Sequence, residues 1–179
     1  DDMAAKGYFS HVSPDGKTLA TASADHTARL WDIASGQTIA TLSGHNKSVW
    51  YVSFSLDGKT LATASADRTA RLWDVASGQA LATLTGHSKS VRHLAFSPDG
   101  KTLATASTDR TARLWDVANG QASATLVGHG SAVWHLAFDR DGRTLATASD
   151  DYTTRLWDVV SGQALATLAG HRNLVRHLA

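Results

Sequence analysis

The 179-residue sequence has no cysteine, which excludes disulfides, Cys-ligated zinc, iron–sulfur clusters and thiol nucleophiles together. It has no glutamate either, since all 16 acidic residues are Asp. Helical proteins use Glu freely on exposed faces whereas Asp favours turns, so composition points away from a helix-rich fold. Neither sign of charge dominates: 17 Lys and Arg against 16 Asp leave a formal +1, and hence no long-range field drawing in nucleic acid or an anionic membrane. No apolar run approaches the roughly 18 residues of a membrane span, and the opening Asp-Asp-Met-Ala-Ala-Lys is not a signal peptide. A cytoplasmic protein with no membrane partner is the expectation. What is present suffices for a core: 42% of residues are hydrophobic, and 18.9 kDa suits one compact domain.

The organisation is a repeat of 42 residues. Gly-His falls at Gly44-His45, Gly86-His87, Gly128-His129 and Gly170-His171, and Trp-Asp at Trp31-Asp32, Trp73-Asp74, Trp115-Asp116 and Trp157-Asp158. Between 44–85 and 86–127, 32 of 42 positions are identical, as after recent duplication of one unit. Turn signals arrive about every ten residues within a unit, the rhythm of a four-stranded meander. In the second unit strand a is expected at about 49–55, ending at Asp57-Gly58, a dipeptide suited to a tight hairpin. Strand b follows at about 59–65, strand c with Trp73 at about 69–75 and strand d at about 79–84. Alternation along the strands is weak, as expected where both faces of a sheet are covered.

With Gly-His and Trp-Asp recurring in four units, the chain resembles the WD-repeat family of β-propellers from about Ser13 to Ala179. The resemblance implies an all-β propeller of four-stranded antiparallel blades, at about 6–43, 44–85, 86–127 and 128–169. It also gives a meaning to a His/Ser/Asp set that looks like a hydrolase triad. The sets are His45, Ser65, Asp67 with Trp73; His87, Ser107, Asp109 with Trp115; and His129, Ser149, Asp151 with Trp157. An enzyme needs one such group at the mouth of a pocket, whereas these repeat with the fold. In the family the matching residues form a structural network, implying Asp bridging His and the b–c turn, His bonded to Ser, and Ser to the indole. The first unit carries Ser23, Asp25 and Trp31 but has Met3 in place of the His, while His171 begins a further loop and strand a over 170–179.

Family rings normally contain about six to eight blades, so four units leave wet faces. Three resolutions stay open: a piece of a longer chain, tight four-blade closure as in hemopexin-like propellers, or two copies forming an eight-bladed ring. The last is the preferred expectation, with 170–179 of one chain completing the first blade of the other.

In a meander the d–a and b–c loops share one end, the a–b and c–d loops the other. Differences between units gather at the d–a/b–c end, where Trp50 becomes Arg92 and Ala66 becomes Thr108. The position after the strand-a Val reads Trp50, Arg92, Trp134 and Arg176, with Tyr8 in the first unit, and the b–c turn carries Ala66, Thr108 and Asp150. Trp, Tyr and Arg are enriched at interface hot spots, and in WD-repeat proteins this end is the usual partner-binding surface. Filling of the gap between blades is the alternative role for these side chains.

Other recurrences are weaker. His93, His135 and His177 share one repeat position, which repetition explains without a metal, and no metal or cofactor is expected. Arg29, Arg71, Arg113 and Arg155 read as a packed or paired stripe on strand c. Asn46-Lys47-Ser48 matches a glycosylation acceptor with nothing else to support it. The expected function is a non-catalytic interaction scaffold for protein or peptide partners, in the manner of WD-repeat regions joined to signalling or NTPase domains in bacterial proteins. Alternatives are a repeat fragment without a ligand of its own, and a channel small-ligand binder or enzyme, opposed by the absence of a unique acid–base pair. Evenly scattered basic residues are read as evidence against a nucleic-acid partner.

Overall fold

A computed structural model of the chain describes residues 9–175. Among them lie sixteen strands and no helix. The first sheet comprises β1 (Ser10–Val12), β2 (Thr18–Ala22), β3 (Ala28–Asp32) and β4 (Thr38–Leu42). The second comprises β5 (Val49–Phe54), β6 (Thr60–Ser65), β7 (Ala70–Asp74) and β8 (Ala80–Leu84). The third is β9 (Val91–Phe96), β10 (Thr102–Ser107), β11 (Thr111–Asp116) and β12 (Ala122–Val127). The fourth is β13 (Val133–Phe138), β14 (Thr144–Ser149), β15 (Thr154–Asp158) and β16 (Ala164–Leu168). Each is an antiparallel meander in sequence order, the blade architecture implied by the resemblance. The β1 strand is the short one, as its poor match to the repeat suggests.

Turn chemistry sets these boundaries. After β5, Ser55 Oγ donates to Asp57 Oδ1 at 2.6 Å and accepts the Thr60 N–H at 3.0 Å. Gly58 closes that turn at φ 70°, a left-handed conformation that glycine adopts without steric cost. After β7, Asp74 Oδ1 accepts from the Ser77 N–H and hydroxyl at 2.7 and 2.6 Å, and the chain reverses into β8.

The cores lie between sheets, not within them. Along β6, Leu61 enters the cluster shared with the first sheet, while its neighbours Ala62 and Ala64 enter the cluster shared with the third. Both faces of the strand are therefore apolar, which erases a polar alternation, and the small alanines let adjacent sheets approach. The strand-c Trp of units two to four (Trp73, Trp115 and Trp157) is 2% exposed because it packs against the preceding unit.

The array of described residues is open, not a tight four-blade ring. Trp31 is only half-buried, and Leu168 is 51% exposed where its equivalents Leu42, Leu84 and Leu126 are at 1%. At the far edge the Val175 N–H bonds the Ser149 carbonyl at 3.4 Å, as Val49 bonds Ser23 at 3.0 Å, so residues 170–175 begin the next unit's path. Met3, Tyr8, Arg176 and His177 lie outside the described residues.

Candidate functional site

The most regular polar constellation is the His-containing set, repeated at the d–a/b–c end of sheets two to four. Its geometry starts with β6, where Thr63 stands opposite Arg71 of β7 and the indole of Trp73 reaches it diagonally. Trp73 Nε1–H donates to Thr63 Oγ1 at 3.0 Å, and Thr63 Oγ1 lies 2.7 Å from His45 Nε2. On the other side of the ring His45 Nδ1 is 2.8 Å from Asp67 Oδ2. One proton arrangement satisfies every partner: indole to hydroxyl, hydroxyl to imidazole Nε2, and imidazole Nδ1–H to carboxylate. The same chain runs through Trp115, Thr105, His87 and Asp109, and through Trp157, Thr147, His129 and Asp151.

The bridging hydroxyl thus corrects the sequence reading, which placed Ser65, Ser107 and Ser149 there. Residues 63 and 65 of a strand face the same way, but Ser65 sits at the end of the ladder. Its Oγ donates to the Lys47 and Ser48 carbonyls at 3.1 and 3.0 Å and accepts the Asp67 N–H at 3.1 Å. It ties the d–a loop to the b–c turn, as Ser107 does through Lys89 and Ser149 through Ser131. A further hydroxyl escaped the sequence reading: Thr69 Oγ1 donates to Asp67 Oδ1 at 2.7 Å, matched by Thr111 and Thr153. A Thr two residues after every b–c Asp was the available signal.

Burial alone would push the Asp67 carboxyl up, but the bonds from His45, Thr69 and the Asn46 N–H outweigh it and hold it well below the usual range. Asp109 and Asp151 are held down in the same way. His129 is lowered by burial, against the opposing pull of Asp151. Superficially this is a hydroxyl–imidazole–carboxylate triad. Yet Thr63, Thr105 and Thr147 are 0% exposed beneath the indoles, so no substrate reaches the hydroxyl.

The first unit lacks the imidazole. Thr21 Oγ1 accepts the Trp31 Nε1–H at 2.9 Å, Asp25 Oδ1 accepts from the Thr27 hydroxyl at 2.6 Å, and Ser23 Oγ accepts the Asp25 N–H at 3.1 Å. His171 is exposed and has no hydrogen-bond partner among the described residues.

Above these networks the entry to strand a is stacked. The Arg92 guanidinium carbon lies 4.3 Å from the Trp50 ring centre and 5.0 Å from that of Trp134, all three side chains half-buried. Below them the rings of Phe9, Tyr51, His93 and His135 form a column across the inner strands, with centroids 5.0, 4.2 and 3.9 Å apart. Burial raises the Tyr51 hydroxyl pKa. The b–c residues sit beside this stack through backbone bonds: Ala66 N–H to Ser48, Thr108 N–H to Ser90 and Asp150 N–H to Ala132. At the opposite end of the inner strands, a depression of about 570 Å³ is lined by Phe54, Phe96 and Phe138 with His11 and Pro98. Among the described residues no group of three His or Asp is placed to hold a metal, and no helix is long and apolar enough to cross a membrane.

Basic residues are not evenly scattered, in contrast to the sequence reading. The loops alternate ends, and with them the charges. Arg71, Arg113 and Arg155 lie on strand c but turn their guanidinium groups back against Gly44, Gly86 and Gly128 of the d–a loops. Counting these together with Arg29, which reaches Asp25 of the b–c turn, and the stacked Arg92, the described residues at the d–a/b–c end include ten basic and five acidic side chains, and those at the a–b/c–d end nine acidic and five basic. The net charge of the whole sequence hides this because the two ends nearly cancel.

A family model described as "WD domain, G-beta repeat" matches residues 6–32, 36–74, 78–116 and 120–158. Human "WD repeat-containing protein 86" is 54% identical over 43 residues, 24% of this chain and 11% of that protein. Mouse "Transducin beta-like protein 3" is 44% identical over 43 residues, 24% of this chain and 5% of the relative. "U3 small nucleolar RNA-associated protein 13" of Saccharomyces cerevisiae is 43% identical over 42 residues, again 24% and 5%. Each match spans about one repeat, a small part of a much longer relative.

Proposed function

The chain belongs to the WD-repeat family, and on that premise we propose that it is a non-catalytic scaffold whose d–a/b–c end binds protein or peptide partners. The observation that carries this reading is the division of labour at that end. The His–Thr–Asp sets are identical in units two to four and sealed under Trp, whereas the adjoining stack of Trp50, Arg92 and Trp134 varies and stays half-buried. An invariant interior holds the loops rigid, and a variable rim of hot-spot residue types supplies recognition. Selection from a random peptide library tests it. Selected peptides should protect amides at 46–51 and 88–93 from hydrogen exchange and should fail to bind a folded Trp50→Ala/Trp134→Ala variant. Protection confined to the a–b/c–d loops would overturn it.

The uncovered faces favour a second assembly reading. The first sheet presents Thr21, Asp25 and Trp31 without an imidazole, and the far edge presents His171 without a network. In two copies each would complete the other, giving an eight-bladed ring that also covers Leu168. Light scattering decides: a particle of twice the chain mass supports the ring, and a stable monomer removes it.

A further inference from the structure

The charge separation between the two ends says something about what the rim would take. Strands of five or six residues place the ends about 17–20 Å apart, roughly twice the Debye length in physiological salt, so a partner at one end feels mainly that end. Of the carboxylates at the d–a/b–c end, Asp67, Asp109 and Asp151 are turned inward onto His and backbone N–H groups. The exposed charges left there are Lys47, Lys89, Arg68, Arg110 and Arg172 against Asp25, with Asp150 half-buried. Arg68 and Arg110 both stand at φ 76°, in the left-handed conformation that long side chains seldom adopt. The equivalent residues of the first and fourth units, His26 and Tyr152, share this conformation at φ 73° and 69°, so it belongs to the b–c turn, and the cations are particular to units two and three.

Resting on the interaction-face reading above, we propose that the d–a/b–c end recognises an acidic peptide segment of its partner, with Lys47, Arg68, Lys89 and Arg110 around the Arg92 stack supplying the counter-charge. A short Asp/Glu-rich segment engages this end alone. A long polyanion such as RNA would extend past the rim toward the acidic a–b/c–d end, and Trp50 and Trp134 already give ring faces to Arg92 instead of to bases.

Fluorescence anisotropy tests the proposal with three labelled probes: an acidic peptide of about ten residues, a basic peptide of equal length, and an oligothymidylate of equal charge. The acidic peptide should bind, the basic one should not, and affinity should fall as salt rises. Lys47→Glu/Lys89→Glu should weaken binding about tenfold or more, while Lys59→Glu/Lys101→Glu at the opposite end leaves it within about twofold. Equal loss from both pairs, no binding of the acidic peptide, or tighter binding of the oligonucleotide would overturn the proposal. So would salt-sensitive growth of the protein into stacks, which would assign the cationic end to the acidic end of a second copy. Library-selected peptides that depend on Trp50 and Trp134 but ignore charge and salt would sink this inference and leave the interaction face standing.

Discussion

One buried hydroxyl in each complete unit has two obligations. Thr105 accepts from Trp115 Nε1–H at 2.9 Å and lies 2.8 Å from His87 Nε2, with its side chain sealed from water. Thr105→Val keeps the shape but leaves an indole N–H and an imidazole nitrogen unsatisfied, a cost of about 2–3 kcal/mol. Ser107→Ala should cost about 1 kcal/mol, because it loosens a loop tie and strands no buried ring. Urea denaturation of both variants checks the order, and the reverse ranking would return the bridging role to Ser107. Acid acts on the same sets. Burial lowers the His129 pKa from 6.5 in the folded chain, so below about pH 6.5 the unfolded chain takes up more proton and stability falls as pH drops. The carboxylates Asp67, Asp109 and Asp151, depressed from 3.8, contribute stability that is whole above that value and lost below it. Melting followed from pH 8 to pH 2 should therefore decline in two stages. The sequence made His, Asp and Trp legible because they recur in step. The sequence reading puts the bridging hydroxyl on Ser65, Ser107 and Ser149 instead of Thr63, Thr105 and Thr147 because residues two apart on a strand face the same way, and only the end of the ladder separates them.

At the scale of an element, the d–a loop depends on a glycine under an arginine. Gly86 has φ 146°, and a Cβ there would run into Nη1 of Arg113, whose guanidinium sits 5.9 Å from the Trp115 ring centre. Gly86→Ala should cost about 2–3 kcal/mol, through backbone strain and displacement of that packed cation. Gly100→Ala, at φ 70° with open space around it, should cost about 1 kcal/mol from strain alone. Equal losses in denaturant midpoint would mean the Arg113 contact is idle. The strands themselves were readable to within about a residue, because Asp57-Gly58 and Ser77-Gly78 pin the hairpins: 49–55 was expected and Val49–Phe54 is observed. The Arg stripe was readable as packed but not its target, since Gly44 and Arg71 are 27 positions apart and meet only once the unit has folded.

For the whole molecule, counting charge hid what topology arranges. Lys47 and Lys89 lie in d–a loops, Lys59 and Lys101 in a–b loops, and composition averages the two ends to +1. The open array was likewise foreshadowed by four units, but the contrast between Leu168 and Leu126 needed coordinates, because the two residues have the same repeat position and differ only in whether a sheet follows. Because each described core is shared by two neighbouring sheets, removing an end sheet bares a surface equivalent to the one already bare. Such a chain drawn out in optical tweezers should peel from its ends, sheet by sheet. Each of the 42-residue units would release about 15 nm of contour length, and a single concerted rip would show the array yielding as one body.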